Sequence, residues 1–490
     1  MSFARREVLK MGAAALLAGG ATRALPAAAT TTGFAGSRKA DHTLRIGTGL
    51  VELAPDTIIS TTTYNGRFPG PLIRFTEGRP VVVDVHNDTD TPEQLHWHGQ
   101  IVPVSVDGSA EEGTPYIPAH GMRRLSFTPG PAGFRFYHTH VVPMGDLSKG
   151  QYGGQVGPVY IEPKDNPGAY DQEVFLVLKE FQPAFSSSGD MASDFLAGSP
   201  VPELRRKGES AMADSLRRGM PHGYEVGYSA FSINGRKLGH GEPIKVKAGQ
   251  RVLFHVLNGS ATEIRSLALP GHSFRVVALD GNPVSRQAEV PVLWIGTAER
   301  VSAVVEMNRP GVWVLGDLSD DDRNAGMGTV VQYTGHRGTP RWAAPPKFTW
   351  DYRTFAQPGP PTVRPDHVVD MLIEKRNAAA DGFNVWTLNG KAFDMHTGGP
   401  VVRVERGGRY RLRFHNATDD VHPLHLHRAT FDVTHIAGTP VHGLLKDVVM
   451  LGGYQSLALD FTADQPGLSL FHCHQQIHMD YGFMFLLRCA

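Results

Sequence analysis

Three segments of this chain repeat one spacing, and that repetition limits the fold to a row of similar units more firmly than composition does. Each segment opens with Asn-Gly, at 65–66, 234–235 and 389–390. Each then reaches a glycine (Gly78, Gly249, Gly408) and an alternating apolar run (Val81 to Val85, Val252 to Val256, Tyr410 to Phe414) that is followed by an asparagine, Asn87, Asn258 or Asn416. Asn-Gly is a two-residue hairpin signal, and alternation with period two marks a strand with one buried face. Repeated short strands between Gly, Pro, Asn and Asp turns predict an all-β protein of three antiparallel β-sandwiches. The expected domains cover 41–165, 170–336 and 366–490, with a Pro-rich connection over 337–365. Inside the second, Ser199 and Pro200 precede a predicted helix from Pro202 to Arg218, which stops at Gly219 and Pro221. Its expected inner face is Leu204, Ala211, Met212, Ser215 and Leu216, packed over a sheet rather than acting as a mobile lid.

Composition removes several classes of function. At 490 residues the chain exceeds what one core fills. Lys plus Arg and Asp plus Glu each total 48, so no basic field exists to hold a nucleic acid. With only Cys473 and Cys489, a disulfide framework is excluded. The N-terminus places Arg5-Arg6 before an apolar run from Met11 to Ala21 and small residues near Ala27-Ala28-Ala29. This layout over 1–29 resembles a twin-arginine export signal. The run falls short of the roughly 20 residues a membrane-spanning helix needs. The expectation is a periplasmic or secreted monomer with no membrane span.

Chemistry concentrates in His472-Cys473-His474, with His478 close behind. Neighbouring side chains of a strand point to opposite faces, so His472 and His474 face one way and Cys473 the other. Such a segment serves two metal centres joined by a few backbone bonds. Counting nine and eleven residues from the repeat asparagines gives His96 and His98, then Leu267 and Leu269, then His425 and His427. Counting five and seven from Gly133, Gly311 and Gly467 gives His138 and His140, then Gly316 and Leu318, then His472 and His474. The residue between is Thr139, Asp317 or Cys473. The outer copies therefore carry a metal cluster at their interface, and the middle copy is a spacer and a wall for the donor site. Thiolate with imidazoles selects copper, and one Cys with two His is a blue-copper electron-transfer set. His422, Cys473 and His478 fill that role. Phe483 stands where a weak axial Met often sits, which favours Cu(I) and a high potential; Met484 reaches that place only if the register slips. His240, His255, His272 and His435 read as structural or surface residues.

The motifs His96-Trp97-His98-Gly99, His138-Thr139-His140, His422-Pro423-Leu424-His425-Leu426-His427 and His472-Cys473-His474 with His478 resemble those of the three-domain multicopper oxidases, the family of laccases and bacterial cuprous oxidases. The resemblance implies three consecutive cupredoxin-like Greek-key domains and four coppers. It places His96 and His425 on a type 2 copper, His98, His138 and His474 on one type 3 copper, and His140, His427 and His472 on the other. It further implies oxidation of a small donor at the type 1 copper and reduction of dioxygen to water at the trinuclear cluster. Asp107 matches a family acid that supplies protons. Many bacterial members have Glu directly after the last type 1 histidine; here Met479 stands there and Asp480 follows, so Asp480 is the second candidate acid. The expected donors are phenols or aromatic amines. The alternative is Cu(I), Fe(II) or Mn(II), but the 14 Met are scattered and Asp320-Asp321-Asp322 reads as a solvated turn. Exported relatives that lost their copper and serve as cell-division scaffolds lack these ligands. Cys489 cannot pair with Cys473 while the latter binds copper.

Overall fold

A computed structural model describes residues 38–164, 170–186, 195–196, 198–220 and 222–490; the export signal over 1–29 lies outside them. The three Asn-Gly pairs form the same turn. Their φ values are all positive, 56° and 68° at 65–66, 53° and 73° at 234–235, 51° and 76° at 389–390, the conformation that Asn and Gly adopt most cheaply. In each, the asparagine side-chain oxygen accepts a backbone N–H from the opening strand of its own repeat: Arg45 at 2.7 Å, Val177 at 2.8 Å and Leu372 at 2.8 Å. The second set of asparagines is equally consistent. Asn87, Asn258 and Asn416 each accept the N–H two residues on, at 2.9, 3.0 and 2.9 Å. Each also donates its amide to buried carbonyls across the sandwich, those of Ile117, Ile295 and Gly452. These side chains replace backbone partners where the chain leaves one sheet for the other.

The sheets repeat as well. In each copy the strand ending at that asparagine runs parallel to the opening strand: Val81–Asn87 to His42–Ala54, Arg251–Asn258 to Gln172–Ser186, Arg409–Asn416 to His367–Ala380. On its other side lies an antiparallel partner, Met122–Phe127, Arg300–Glu306 or Ser456–Thr462. The second sheet of the first copy is Ile73–Thr76, Val156–Glu162, Gly133–His138 and His96–His98. That of the third is Val401–Val404, Met484–Cys489, Gly467–Cys473, His422–Leu426 and Val448–Leu451. Every metal-type histidine sequence therefore sits in, or at the end of, a second sheet. In the middle copy this layer is divided, and Ala268 rather than Leu267 lies opposite Gly316, a one-residue departure from the counted register. Leu267 and Leu269 are buried in its core, where the outer copies have imidazoles.

The connection at 337–365 docks on the core through its later residues. Trp350, Tyr352, Phe355 and Ala356 are buried in the core shared by the second and third copies, each aromatic ring contributing about 1.5–3 kcal/mol of burial. The predicted helix spans Pro202–Arg217 with Pro in its first turn. Its inner face differs from expectation: Leu204, Gly208, Met212 and Ser215 turn inward, whereas Ala211 and Leu216 are exposed. Gly208 lies so close to the third copy that a Cβ would sit 2.5 Å from the Ala417 carbonyl oxygen. The helix thus packs on the third copy, against His367–Ala380. Asp320-Asp321-Asp322 begins a short helix, Asp320–Ala325, capped by Ser319. Asp322 pairs with Arg265 at 2.7 Å and Asp320 with Arg323. No helix among the described residues is long and apolar enough to cross a membrane.

Candidate metal centre

The second sheets of the outer copies bring eight histidines into one buried space. His96 lies opposite His138 in the first copy, and His425 opposite His472 in the third. Across the two copies the rings stack in crossed pairs. His96 lies on His427 with centroids 4.0 Å apart, and His98 on His425 at 3.8 Å. The ligand atoms fall into three groups, each within 4.8 Å: His96, His98 and His425; His98, His138 and His474; His140, His427 and His472.

The ring nitrogens show what the space is built to hold. His96 Nδ1 pairs with the Asp107 carbonyl at 2.9 Å, His138 Nδ1 with the Thr139 carbonyl at 2.7 Å, and His425 Nδ1 with the Asp447 carbonyl at 2.7 Å. In each case Nε2 is buried without a partner. His98 is turned the other way: Nε2 meets Asp447 Oδ1 at 3.2 Å, and Nδ1 is the bare nitrogen. His472 and His427 anchor Nδ1 on the Cys473 carbonyl and on Asp107 Oδ2, bringing their Nε2 atoms within 3.1 Å of each other. Neither nitrogen of His140 or His474 has a hydrogen-bond partner. Buried polar atoms are ordinarily satisfied, and a metal-binding imidazole anchors its other nitrogen on a carbonyl or carboxylate. Burial and neighbouring rings hold His98, His138, His425, His427, His472 and His474 well below the usual histidine range. They are therefore neutral, the form that donates a lone pair. The donor set fits several metal ions.

A second group lies on the other face of Cys473. Its Sγ is 3.6 Å from His422 Nδ1 and 3.5 Å from His478 Nδ1, and the two nitrogens are 3.1 Å apart. His478 comes from the short helix Gln476–Asp480 that follows the strand. Thr418 Oγ1 lies 3.0 Å from His422 Nε2, and the Trp386 ring lies 4.0 Å from that of His478. Burial lowers His422 to about 4. Phe483 is fully buried with its ring 4.8 Å from His422. Met484 pairs across from His472 and is buried with Leu470, Met479 and Leu486, apart from Cys473. The register has not slipped.

Asp107 ends the turn Val104–Asp107 and is wholly buried. Gly108 follows at φ 99°, where a Cβ would sit 1.9 Å from the Leu95 carbonyl oxygen. This close approach brings Asp107 Oδ2 to 2.9 Å from His427 Nδ1 and 3.2 Å from His96 Nδ1. Glu112 stands beside it, 3.3 Å from His427 Nδ1. Burial, then the charge of Asp107, pushes Glu112 well above the carboxylate range. Burial opposes the charge on Asp107 too, but His96 and the hydrogen bond from Glu112 outweigh it and hold Asp107 below its ordinary value. Asp480 is buried, and burial drives its carboxyl well upward; it accepts a hydrogen bond from Gln476 Nε2 at 2.7 Å. Glu111 lies 3.4 Å from His140 Nδ1.

Sequence reasoning missed Glu111, Glu112, Asp447 and Glu225. The acidic pair, four and five residues after Asp107, was a readable signal. Glu225 had none: it comes from the middle copy, and its Oε2 lies 4.0 Å from His478 Nε2. Asn384 Nδ2 donates to its other oxygen at 3.0 Å. Tyr224 and Phe383, the chain neighbours of Glu225 and Asn384, cluster with Phe185 and Tyr481: in the order Tyr224, Phe185, Phe383, Tyr481 the successive ring centroids are 5.3, 5.4 and 4.3 Å apart. Phe185 and Tyr224 are exposed. Cys489 is a buried free thiol that donates to the Ala463 carbonyl.

Two buried metal-type centres, one between the outer β-sandwiches and one within the third, are joined through a single cysteine, and the thiolate-imidazole set is that of a copper electron-transfer protein. Residues 48–166, 206–335 and 363–489 each match a family described as multicopper oxidase. The multicopper oxidase MmcO of Mycobacterium tuberculosis is 30% identical, covering 98% of this chain and 95% of its own. Laccase-2 of Fomitopsis schrenkii is 25% identical over 86% of this chain and 84% of its own. The crystal structure of Fet3p, a multicopper oxidase that functions in iron import, superposes with a TM-score of 0.71 at 18% identity, covering 92% of this chain and 90% of that one. The chain belongs to the three-domain multicopper oxidases. It is a copper-dependent oxidoreductase with dioxygen as acceptor, and its histidine groups are consistent with four coppers.

Proposed function

We propose that this oxidase is laccase-like, taking single electrons from phenols or aromatic amines at the His478 ring edge. The observation that carries this reading is the Glu225 carboxylate, 4.0 Å from His478 Nε2, with the aromatic pair Tyr224 and Phe383 next to Glu225 and Asn384 along the chain. Copper held by His422, Cys473 and His478 would supply the one-electron acceptor, and copper held by His96 and His425, by His98, His138 and His474, and by His140, His427 and His472 the centre where dioxygen is reduced to water. The chain's own residues arrange the rest. Tyr224 and Phe383 offer faces on which an aromatic ring stacks. A phenol becomes a far stronger acid as it loses an electron, so Glu225 accepts its proton while Asn384 fixes the carboxylate. Cys473 joins the two centres, because its neighbours His472 and His474 belong to the other one.

Protons needed for water are held at Glu112, whose carboxyl stays protonated beside Asp107. Ionised Asp107 accepts the hydrogen bond of that carboxyl, and its Oδ2 stands against His427 and His96. Asp480 holds a second buried proton, occupying the role that a Glu directly after His478 has in many relatives. One carboxylate beside one amide suits a phenolic hydroxyl better than a hard cation, which takes several oxygen ligands. The Arg5-Arg6 signal supports export to the periplasm or beyond.

Oxygen uptake measured in parallel with a dimethoxyphenol, Cu(I), Fe(II) and Mn(II) tests the donor. The expected result is turnover of the phenol, with Glu225→Gln lowering its kcat/KM by about 10²-fold or more, as loss of a general base does. Selective turnover of a metal ion, with the phenol inert, contradicts this reading.

A further inference from the structure

Each stacked histidine pair is bracketed by one aspartate, and the two aspartates are used in the same way. Asp107 gives its carbonyl to His96 of its own copy and its carboxylate to His427 of the other. Asp447 gives its carbonyl to His425 of its own copy, at 2.7 Å, and its carboxylate to His98 of the other, at 3.2 Å. Their surroundings differ. Asp107 has the carboxyl of Glu112 beside it. Asp447 faces fixed cations: Arg300 Nη1 and Nη2 donate to its two oxygens at 2.6 Å each, and Arg135 Nη1 adds a third bond at 3.1 Å.

We propose that Asp447, clamped by Arg300 of the middle copy and Arg135 of the first, is a positioning residue that sets the ring orientation of His98 and His425. It turns His98 so that Nδ1, rather than Nε2, faces the cluster. The proposal rests on the reading of these two histidines as copper ligands.

Four features support it. The clamp is dry: Arg135, Arg300 and Asp447 have no exposed side-chain surface. Burying such charges is expensive, and an apolar substitute often costs nothing in stability, so a role beyond stability is indicated. The bidentate fork of Arg300 fixes a carboxylate in plane, which Lys cannot do. The clamp also explains a residue in the first histidine motif. Gly99 has φ 76°, and a Cβ there would sit 2.6 Å from Asp447 Oδ2 and 2.7 Å from Arg300 Nη2. The fourth lies behind the clamp, where Asp280 Oδ2 accepts the backbone N–H groups of Asp447 and Val448 at 3.2 and 3.0 Å. All three copies therefore determine where Asp447 stands.

Asp447→Asn and Asp447→Glu test the role, read by copper per chain, the blue absorbance and the electron paramagnetic resonance of the remaining copper. Asp447→Glu keeps the charge balance, so it isolates geometry. The blue absorbance, which arises at His422, Cys473 and His478, serves as the folding control. The expected result is that it persists while copper at the histidine cluster binds about 10- to 100-fold more weakly, as loss of such a buttress does elsewhere. Unchanged copper content and resonance in either folded variant overturns the proposal. So does loss of the blue absorbance in both, which would make Asp447 a determinant of the fold alone. If the wild-type chain itself holds only the blue copper, the ligand reading fails instead, and the two failures are told apart.

Discussion

Phe483 is the residue expected to tune the blue site proposed at His422, Cys473 and His478. Its ring fills the space beside His422, and Met484, one residue on, is turned to the other side of the strand. A phenyl ring donates nothing to copper, so position 483 would add no ligand that stabilises the oxidised state. Phe483→Met is expected to favour that state and lower the potential. A tenfold change in the balance corresponds to about 59 mV for a one-electron couple, and redox titration of the blue absorbance measures it. An unchanged potential would mean that the side chain at 483 does not face the metal. Residues of this kind are legible in sequence because they lie at fixed distances from Cys473 along one strand and one helical turn. Glu225 and Asp447 are not. Glu225 reaches His478 only through packing of the middle copy on the third, and Asp447 becomes a clamp only when Arg135 and Arg300 close on it from separate copies. No spacing within one repeat encodes either approach.

At the scale of elements, turns and strand ends carry the repeat. The Asn-Gly hairpins and the asparagines after each apolar run were readable because each uses a local hydrogen-bonding habit of its side chain. The inner face of Pro202–Arg217 was not. Periodicity alone puts Ala211 and Leu216 inside, but the surface it packs on belongs to another copy, and close approach to Ala417 selects Gly208 instead. The turn Val104–Asp107 makes the same point about function. It positions Asp107 only because Gly108 permits the chain to pass against Leu95. Gly108→Ala combines a positive φ with a backbone collision, and an incompatible Gly→Ala costs more than about 1 kcal/mol. The expected outcome is a lowered unfolding midpoint, measured by thermal or denaturant melting, together with slowed reoxidation of the reduced enzyme by dioxygen. A normal midpoint with normal reoxidation would show that Asp107 does not depend on this turn.

Across the whole molecule, the outer copies supply the ligand-type residues and the middle copy supplies part of what surrounds them. Its Leu267 and Leu269 replace imidazoles in the core, yet it contributes Glu225 beside His478 and Arg300 against Asp447. That division follows from the sequence pattern only in part: the missing histidines are visible there, the supporting residues are not. On the proposed ligand sets, Cys473 both separates and joins two copper centres. Copper content, visible absorbance and electron paramagnetic resonance of Cys473→Ser test it most directly. The expected result is loss of the blue absorbance and of donor oxidation, with the copper of the histidine cluster still bound. Loss of all copper, or a blue absorbance that survives the substitution, would contradict it.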